Sequence, residues 1–354
     1  MVEGIEATPL QGWRREEMER WLETTLGERA FRGRQIFAWL HQRGAHSFAE
    51  MTDLSKGVRH RLEEALCIAP EPRLEVHTSS DGTAKLALTL SDGAVVETVI
   101  IPGKKRVTLC VSSQVGCRRG CRFCRTAELG FTRHLSAHEM VAQVAVAKRY
   151  WATHSAERIT NLVWMGMGEP MDNLDEVMRA LHILLDPMGF DFSRRRVTVS
   201  TVGVVPGIAR LGAEPGLGVN LALSLNATTD ALRSALMPVN RQWDLGALRH
   251  ALMAYPLEPR QRITIEYVML QGLNTAKEDA LRLVRWLHGL AVKVNLLAWN
   301  PFPGREFARP SDDEMSHFQT WLLERGVATS IRCSRGQDSL AACGLLGSPA
   351  GKVS

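Results

Sequence analysis

The stretch Val107-Thr-Leu-Cys110-Val-Ser-Ser-Gln-Val-Gly-Cys117-Arg-Arg-Gly-Cys121-Arg-Phe-Cys124 runs from an apolar strand into a loop with three thiols in the spacing C-x3-C-x2-C. Three cysteines on one short loop can wrap three corners of a 4Fe–4S cube and leave the fourth iron without a protein ligand. An open iron binds a small molecule and passes it an electron. For this spacing the molecule is S-adenosylmethionine, cleaved reductively to a 5′-deoxyadenosyl radical. A structural zinc asks instead for four ligands, often two Cys-x2-Cys pairs well apart. The only local fourth thiol, Cys110, lies seven residues upstream in the strand. A disulfide framework asks for an even count in a secretory setting. This chain has seven cysteines and an acidic start, Met-Val-Glu-Gly-Ile-Glu, without a leader pattern. The cluster reading is preferred on both counts.

Outward from this loop the pattern repeats as β then α. Strands are expected at 107–113, 161–166, 196–201, 220–225, 263–270 and 293–300, with the clearest helices at 136–151, 174–185 and 277–288. Six β–α units with near-continuous apolar strands predict an α/β fold: a parallel sheet curled into a partial (β/α)6 barrel. Function in such folds gathers at the C-terminal ends of the strands, which is where the cysteine loop stands. A further strand is expected at 329–334, ahead of a small Gly-rich tail.

Upstream, residues 13–69 read as helices. Ile36, Trp39 and Leu40 share a face, and Ser55 is an N-cap for a helix whose apolar side is Val58, Leu62, Ala65 and Leu66. Cys67 reads as a core thiol. Pro70 and Pro72 punctuate, and 85–90 and 94–101 alternate around Ser-Asp-Gly as a hairpin. The expected organisation is a small helical domain over 1–70, a β-hairpin linker over 71–105, the partial barrel over 106–303 and a short C-terminal extension over 304–354. That extension carries a helix, a strand and a cysteine loop.

Hydrophobic content of 45% and charged content of 23% are those of an ordinary globular protein. No apolar run of about 18 residues is free of charge, so no membrane span is expected. Reduced cysteines without a targeting segment point to the cytoplasm. The net charge is only +5, but it is clustered. Arg29, Arg32, Arg34, Arg43, Lys56, Arg59 and Arg61 face only Glu50 and Asp53 in their stretch. Lys104, Lys105, Arg106, Arg118, Arg119, Arg122, Arg125 and Arg133 face only Glu128. Arg194-Arg195-Arg196 forms a third block. Basic blocks around a reaction centre suggest a polyanion, most simply nucleic acid.

Other residues join the argument by position. Gly166-Met167-Gly168-Glu169-Pro170 follows the second strand. Glycines there admit a close ligand and the glutamate can receive an ammonium, so the turn suits the amino-acid end of S-adenosylmethionine. Ser200, Ser224, Asn226 and Asn300 end later strands. Ala341-Ala342-Cys343-Gly344, taken alone, reads as core.

Several motifs together resemble the radical S-adenosylmethionine RNA adenine methyltransferases. They are Cys110–Cys117, Phe123-Cys124, Leu129-Gly130-Phe131, Met165-Gly-Met-Gly-Glu-Pro170, Val197-Thr-Val-Ser-Thr201, Ile265-Glu-Tyr-Val-Met-Leu270, Trp299-Asn-Pro-Phe-Pro303 and Ala341-Ala-Cys-Gly344. The resemblance extends from about Arg32 to Gly344. It implies methylation of adenine carbon 2 in 23S rRNA and tRNA, with two S-adenosylmethionine molecules per turnover. Cys343 would carry the methyl group, Cys110 would resolve the adduct by forming a disulfide, and Glu97 would accept a proton. Cys117, Cys121 and Cys124 would hold the cluster. Gly168, Glu169, Ser200, Ser224, Leu225, Asn226 and Asn300 would contact S-adenosylmethionine. The helical domain over 1–70 would bind RNA, with the target base unstacked to reach the barrel mouth. A flavodoxin-type electron donor and a monomeric state are also expected. Carbon-8 methylation of adenine, as in the antibiotic-resistance branch, and a radical activase acting on a protein stand as alternatives. A non-enzymatic nucleic-acid-binding protein with a structural metal is a third. The chain departs from the family pattern at Asn226, where many relatives carry histidine, at Arg125-Thr126-Ala127, and at Cys333.

Overall fold

The computed structural model describes residues 9–347. The first α-helices among the described residues are α1 (Arg15–Leu26), α2 (Phe31–His41) and α3 (Lys56–Ala65). Met18, Trp21, Leu22, Ile36, Phe37 and Leu62 are buried on their inner faces, and Trp13, just ahead of α1, is buried with them. Gly27 ends α1 in the left-handed conformation, and Ser55 caps α3 by accepting from the Val58 amide at 3.3 Å.

Three antiparallel strands follow: β1 (Arg73–Thr78), β2 (Ala84–Thr89) and β3 (Val95–Pro102). The β2–β3 hairpin runs directly into the main sheet, because β3 pairs antiparallel with β4 (Val107–Cys110). From β4 the sheet is parallel through β7 (Ile159–Trp164), β8 (Val197–Thr201), β9 (Asn220–Ser224), β10 (Ile263–Met269), β11 (Val292–Ala298) and β12 (Thr329–Arg332). The six expected β–α strands are therefore present in sequence order, and β12 adds a seventh at the open edge. The sheet has ten strands in all. A separate short hairpin, β5 (Gln114–Gly116) with β6 (Phe131–His134), brackets the cysteine loop.

The connecting helices are α4 (Ala137–His154), α5 (Leu174–Leu185), α6 (Val205–Ala213), α7 (Asp230–Leu236), α8 (Leu245–Ala254), α9 (Lys277–Leu287) and α10 (Asp312–Leu323). Their apolar stripes pack on the outer face of the sheet, as at Val144, Leu181, Ile208, Leu248, Leu283 and Phe318, all fully buried. The inner face is different. Side chains from β3, β4, β7, β8, β9, β10 and β11 border a single cavity, joined by the segments that follow β7, β8, β9, β11 and β12, so the sheet curls around it as a partial barrel. Among the described residues no helix is long and apolar enough to cross a membrane.

Candidate active site

The cavity lies at the C-terminal ends of the parallel strands. Its rim carries Cys117, Cys121 and Cys124, and its walls carry Cys110, Gly168, Glu169, Ser200, Ser224, Asn226, Asn300 and Cys343. Eleven of the thirteen residues singled out from sequence thus share one space. Leu225 and Glu97 do not line it.

The cysteine loop is held by backbone. Cys117 donates its amide to the Gly130 carbonyl at 2.7 Å, and Cys124 donates to Cys121 at 3.1 Å. Gly116 has φ +76°, and a Cβ there would collide with the Gly130 carbonyl, so the turn into the loop requires glycine. Arg119 makes a two-pronged pair with Asp172, tying the loop to the turn after β7. Trp299 donates its indole N–H to the Phe123 carbonyl at 2.9 Å from the far side.

The thiols of this loop suit a metal cluster on chemical grounds. Burial pushes Cys117 up to about 12 and raises Cys121 and Cys124 as well, and the three repel one another as thiolates. Three buried thiolates need a cationic group to compensate them. An iron–sulfur cube takes each of three such thiolates on a different iron.

The Gly-Met-Gly-Glu-Pro turn is built around close packing. Gly168 has φ +95°, and a Cβ there would stand 2.5 Å from the Gln114 side chain. Glu169 is buried, with its two oxygens accepting from the amides of Met171 at 3.1 Å and Val202 at 2.8 Å. Burial pushes its carboxyl up to about 7, against the pull of those donors. Asn226 adopts φ +61°, a conformation asparagine tolerates better than most residues. Its Oδ1 accepts from the Val268 amide at 2.8 Å, so one end of this amide braces β10 while the residue still lines the cavity. Leu225 is fully buried in the main core, and only its backbone is used, its amide donating to Glu266 at 3.0 Å.

The segment after β12 folds back over the cavity and carries Cys343. Asn300 donates to the Cys343 carbonyl at 3.1 Å. Arg125 donates its amide to Gly344 at 2.8 Å, and Thr126 its hydroxyl to Leu346 at 2.9 Å. The unusual Arg125-Thr126-Ala127 run is therefore the seat of this loop. Cys343 is exposed on the cavity, and the protein mass around it pushes its thiol up to about 11. Cys110 is buried on β4 and pushed up to about 12, first by burial and then by Cys343 itself. All seven cysteines are free thiols in this structure, and Cys67, expected in the core, is instead exposed just past the end of α3.

Glu97 lies on β3 on the same side as Val99 and Ile101, which line the cavity. Its carboxylate is engaged elsewhere: Lys85 Nζ lies 3.1 Å from Oε1, and the Gly347 amide donates to Oε2 at 2.6 Å. Lys85, which does not line the cavity, and Glu266 and Arg332, which do, are additions to the residues expected from sequence. A lone charge in the largely apolar β2 and another in the largely apolar β10 were the available signals.

The basic blocks divide by position. Arg118 and Arg122 are exposed on the cysteine loop at the mouth. Lys104–Arg106 and Arg194–Arg196 directly precede β4 and β8, at the opposite ends of those strands. In the N-terminal helices, Arg61 pairs with Glu28, Arg34 with Glu19 at 3.5 Å and Arg43 with Asp53 at 3.8 Å. One continuous basic surface around the mouth is thus not what the fold builds.

A family model described as radical SAM superfamily matches residues 111–287, and one described as ribosomal RNA large subunit methyltransferase N-terminal domain matches residues 8–68. A partial α/β barrel with a three-cysteine loop at its mouth, matched by the first of these, defines a radical S-adenosylmethionine protein. The crystal structure of a radical SAM methyltransferase from Sphaerobacter thermophilus superimposes with a TM-score of 0.88 at 41% identity, covering 96% of this chain and 98% of that one. The dual-specificity RNA methyltransferase RlmN of Syntrophobacter fumaroxidans is 47% identical over 93% of this chain and 95% of its own length. Its namesake from Geotalea uraniireducens is 46% identical over 97% of each. The chain belongs to the RlmN family of radical S-adenosylmethionine methyltransferases.

Proposed function

We propose that this protein methylates carbon 2 of adenine in 23S rRNA and in tRNA, through a methyl group carried on Cys343. The observation that carries the reading is the common cavity of Cys343, Cys110 and the three loop cysteines. A cluster bound by Cys117, Cys121 and Cys124 would supply the electron that cleaves S-adenosylmethionine reductively to a 5′-deoxyadenosyl radical. The chain's own residues do the rest. Gly168, Glu169, Ser200, Ser224, Asn226, Asn300 and the backbone at Leu225 bind and orient S-adenosylmethionine, two molecules of which are used per turnover. Cys343 takes a methyl from one of them and holds it over the cavity. Adenine carbon 2 has no nucleophilic lone pair, so a carbon-centred radical on the carrier suits it better than polar methyl transfer. Glu97 accepts the proton lost from the ring, after its bond to Gly347 loosens. Cys110 then gives up its proton and attacks the sulfur of Cys343: the S–S bond forms as the bond from that sulfur to the methylene carbon breaks, with the electron pair going to that carbon, which takes a proton to complete the methyl group of the released base.

The helical region over 1–70 binds RNA and presents an unstacked base. A flavodoxin-type donor supplies electrons to a monomeric, cytoplasmic enzyme. A protein activase would need neither Cys110 nor Cys343, so their shared cavity argues against that alternative. The test is nucleoside mass spectrometry after anaerobic reaction of reconstituted protein with unmodified 23S rRNA and tRNA. 2-Methyladenosine is the expected product in both. 8-Methyladenosine would assign the chain to the resistance branch, and neither product, with S-adenosylmethionine still cleaved, would overturn the substrate.

A further inference from the structure

Two carboxylates line the cavity, Glu169 and Glu266. Both oxygens of Glu169 are occupied by backbone amides. Glu266, on β10, is only 6% exposed. Its Oε1 accepts from Asn295 Nδ2 at 2.9 Å and lies 3.7 Å from Arg332 Nη1. Its Oε2 is buried and has no hydrogen-bond partner among the described residues. A buried carboxylate oxygen without a donor is costly unless it serves a purpose. The register sets Glu266 beside Ser224 on β9 and Asn295 on β11, within the row that faces the inside of the barrel. After burial itself, Glu266 is the strongest influence on the Cys343 thiol.

Polar loading of a methyl group on Cys343 needs a thiolate, and none of the roles given above removes the proton. We propose that Glu266 is the general base for this loading step, an inference that rests on Cys343 being the methyl carrier. The Sγ–H bond of Cys343 breaks and the proton passes to Glu266 Oε2. The freed sulfur pair attacks the sulfonium methyl carbon, forming the Sγ–C bond. The old C–S bond breaks with its electron pair going to sulfur, leaving S-adenosylhomocysteine neutral at that atom. Arg332, paired with the other carboxylate oxygen, keeps the base from turning away.

The experiment follows loading without RNA. Protein produced in iron-depleted medium is reconstituted anaerobically and mixed with S-adenosylmethionine bearing a trideuterated methyl group. The Cys343 peptide is then followed by mass spectrometry. Glu266→Gln is expected to lower the initial rate of label uptake about 100-fold, and Glu266→Asp to retain most of it. Alkylation of Cys343 by iodoacetamide is the opposing readout. A mere neighbouring charge disfavours the thiolate, so its removal leaves alkylation unchanged or faster. Slower loading with undiminished alkylation is the signature of lost proton transfer. Wild-type loading in Glu266→Gln, or equal losses in the Gln and Asp variants, would overturn the proposal. A wild-type protein that takes no label on Cys343 would refute the carrier reading instead.

Discussion

At the scale of single residues, Lys85 and Glu97 show how much one neighbour changes a role. Both are almost wholly buried and 3.1 Å apart. Removing one end of such a pair leaves the other charge uncompensated, at a cost of about 3–5 kcal/mol. Lys85→Met is therefore expected to lower the urea midpoint sharply. The double variant Lys85→Met with Glu97→Gln recovers much of that stability and no turnover, because the proposed proton acceptor is gone. Recovery of both would remove Glu97 from the chemistry. Cys110→Ala makes the complementary case for the thiols. Addition to the base proceeds and resolution fails, so a covalent protein–RNA adduct should accumulate on denaturing gels. Free turnover by that variant would rule out the disulfide step.

At the scale of elements, α2 carries a group whose charge state follows from packing. His41 is buried, with its ring edge-on to Phe37 at 4.4 Å between centroids. Desolvation lowers it from 6.5 to about 3. The unfolded chain therefore takes up the proton first as pH falls. The contribution of a neutral His41 is complete above about pH 6.5 and is lost progressively towards pH 3. At about pH 5 the loss is roughly 2 kcal/mol, at 1.36 kcal/mol per pH unit. His41→Phe should flatten the fall in thermal midpoint between pH 7 and 5, and an unchanged slope would mean that the ring is hydrated.

The strands with strong apolar runs were legible to within two or three residues, because burial on both faces writes itself into composition. Elements made by partners rather than by their own pattern were not. In β1, Leu74 is 41% exposed, so that strand is held by pairing with β2 more than by a core. The strands of the β5–β6 hairpin have three and four residues and depend on the left-handed glycines 116 and 130. The site residues at strand ends were readable because topology aligns them. Lys85, Glu266 and Arg332 were not, since their meaning lies in neighbours distant in sequence.

At the scale of the molecule, the tail and the charges answer separate questions. The segment carrying Cys343 is fixed at Asn300, Arg125, Thr126 and Glu97, and also by Asp81, which accepts from the Gly336 amide at 3.0 Å. The fold thus holds Cys343 at the cavity before any substrate arrives, and an incoming RNA must meet the mouth that surrounds it. Charge at the mouth comes from Arg118 and Arg122, while Arg194–Arg196 sits at the other end of β8. Neutralising Arg194, Arg195 and Arg196 together should change tRNA affinity by less than about twofold. Arg118→Ala with Arg122→Ala should weaken it and reduce the slope of log affinity against log salt by about 0.7–0.9 for each phosphate left without its cation. Iron content of the variant protein checks that the cysteine loop is intact. If the triple variant proves the weaker binder, RNA must wrap around the barrel to its far end, and the target base would enter the mouth from a strand held chiefly elsewhere.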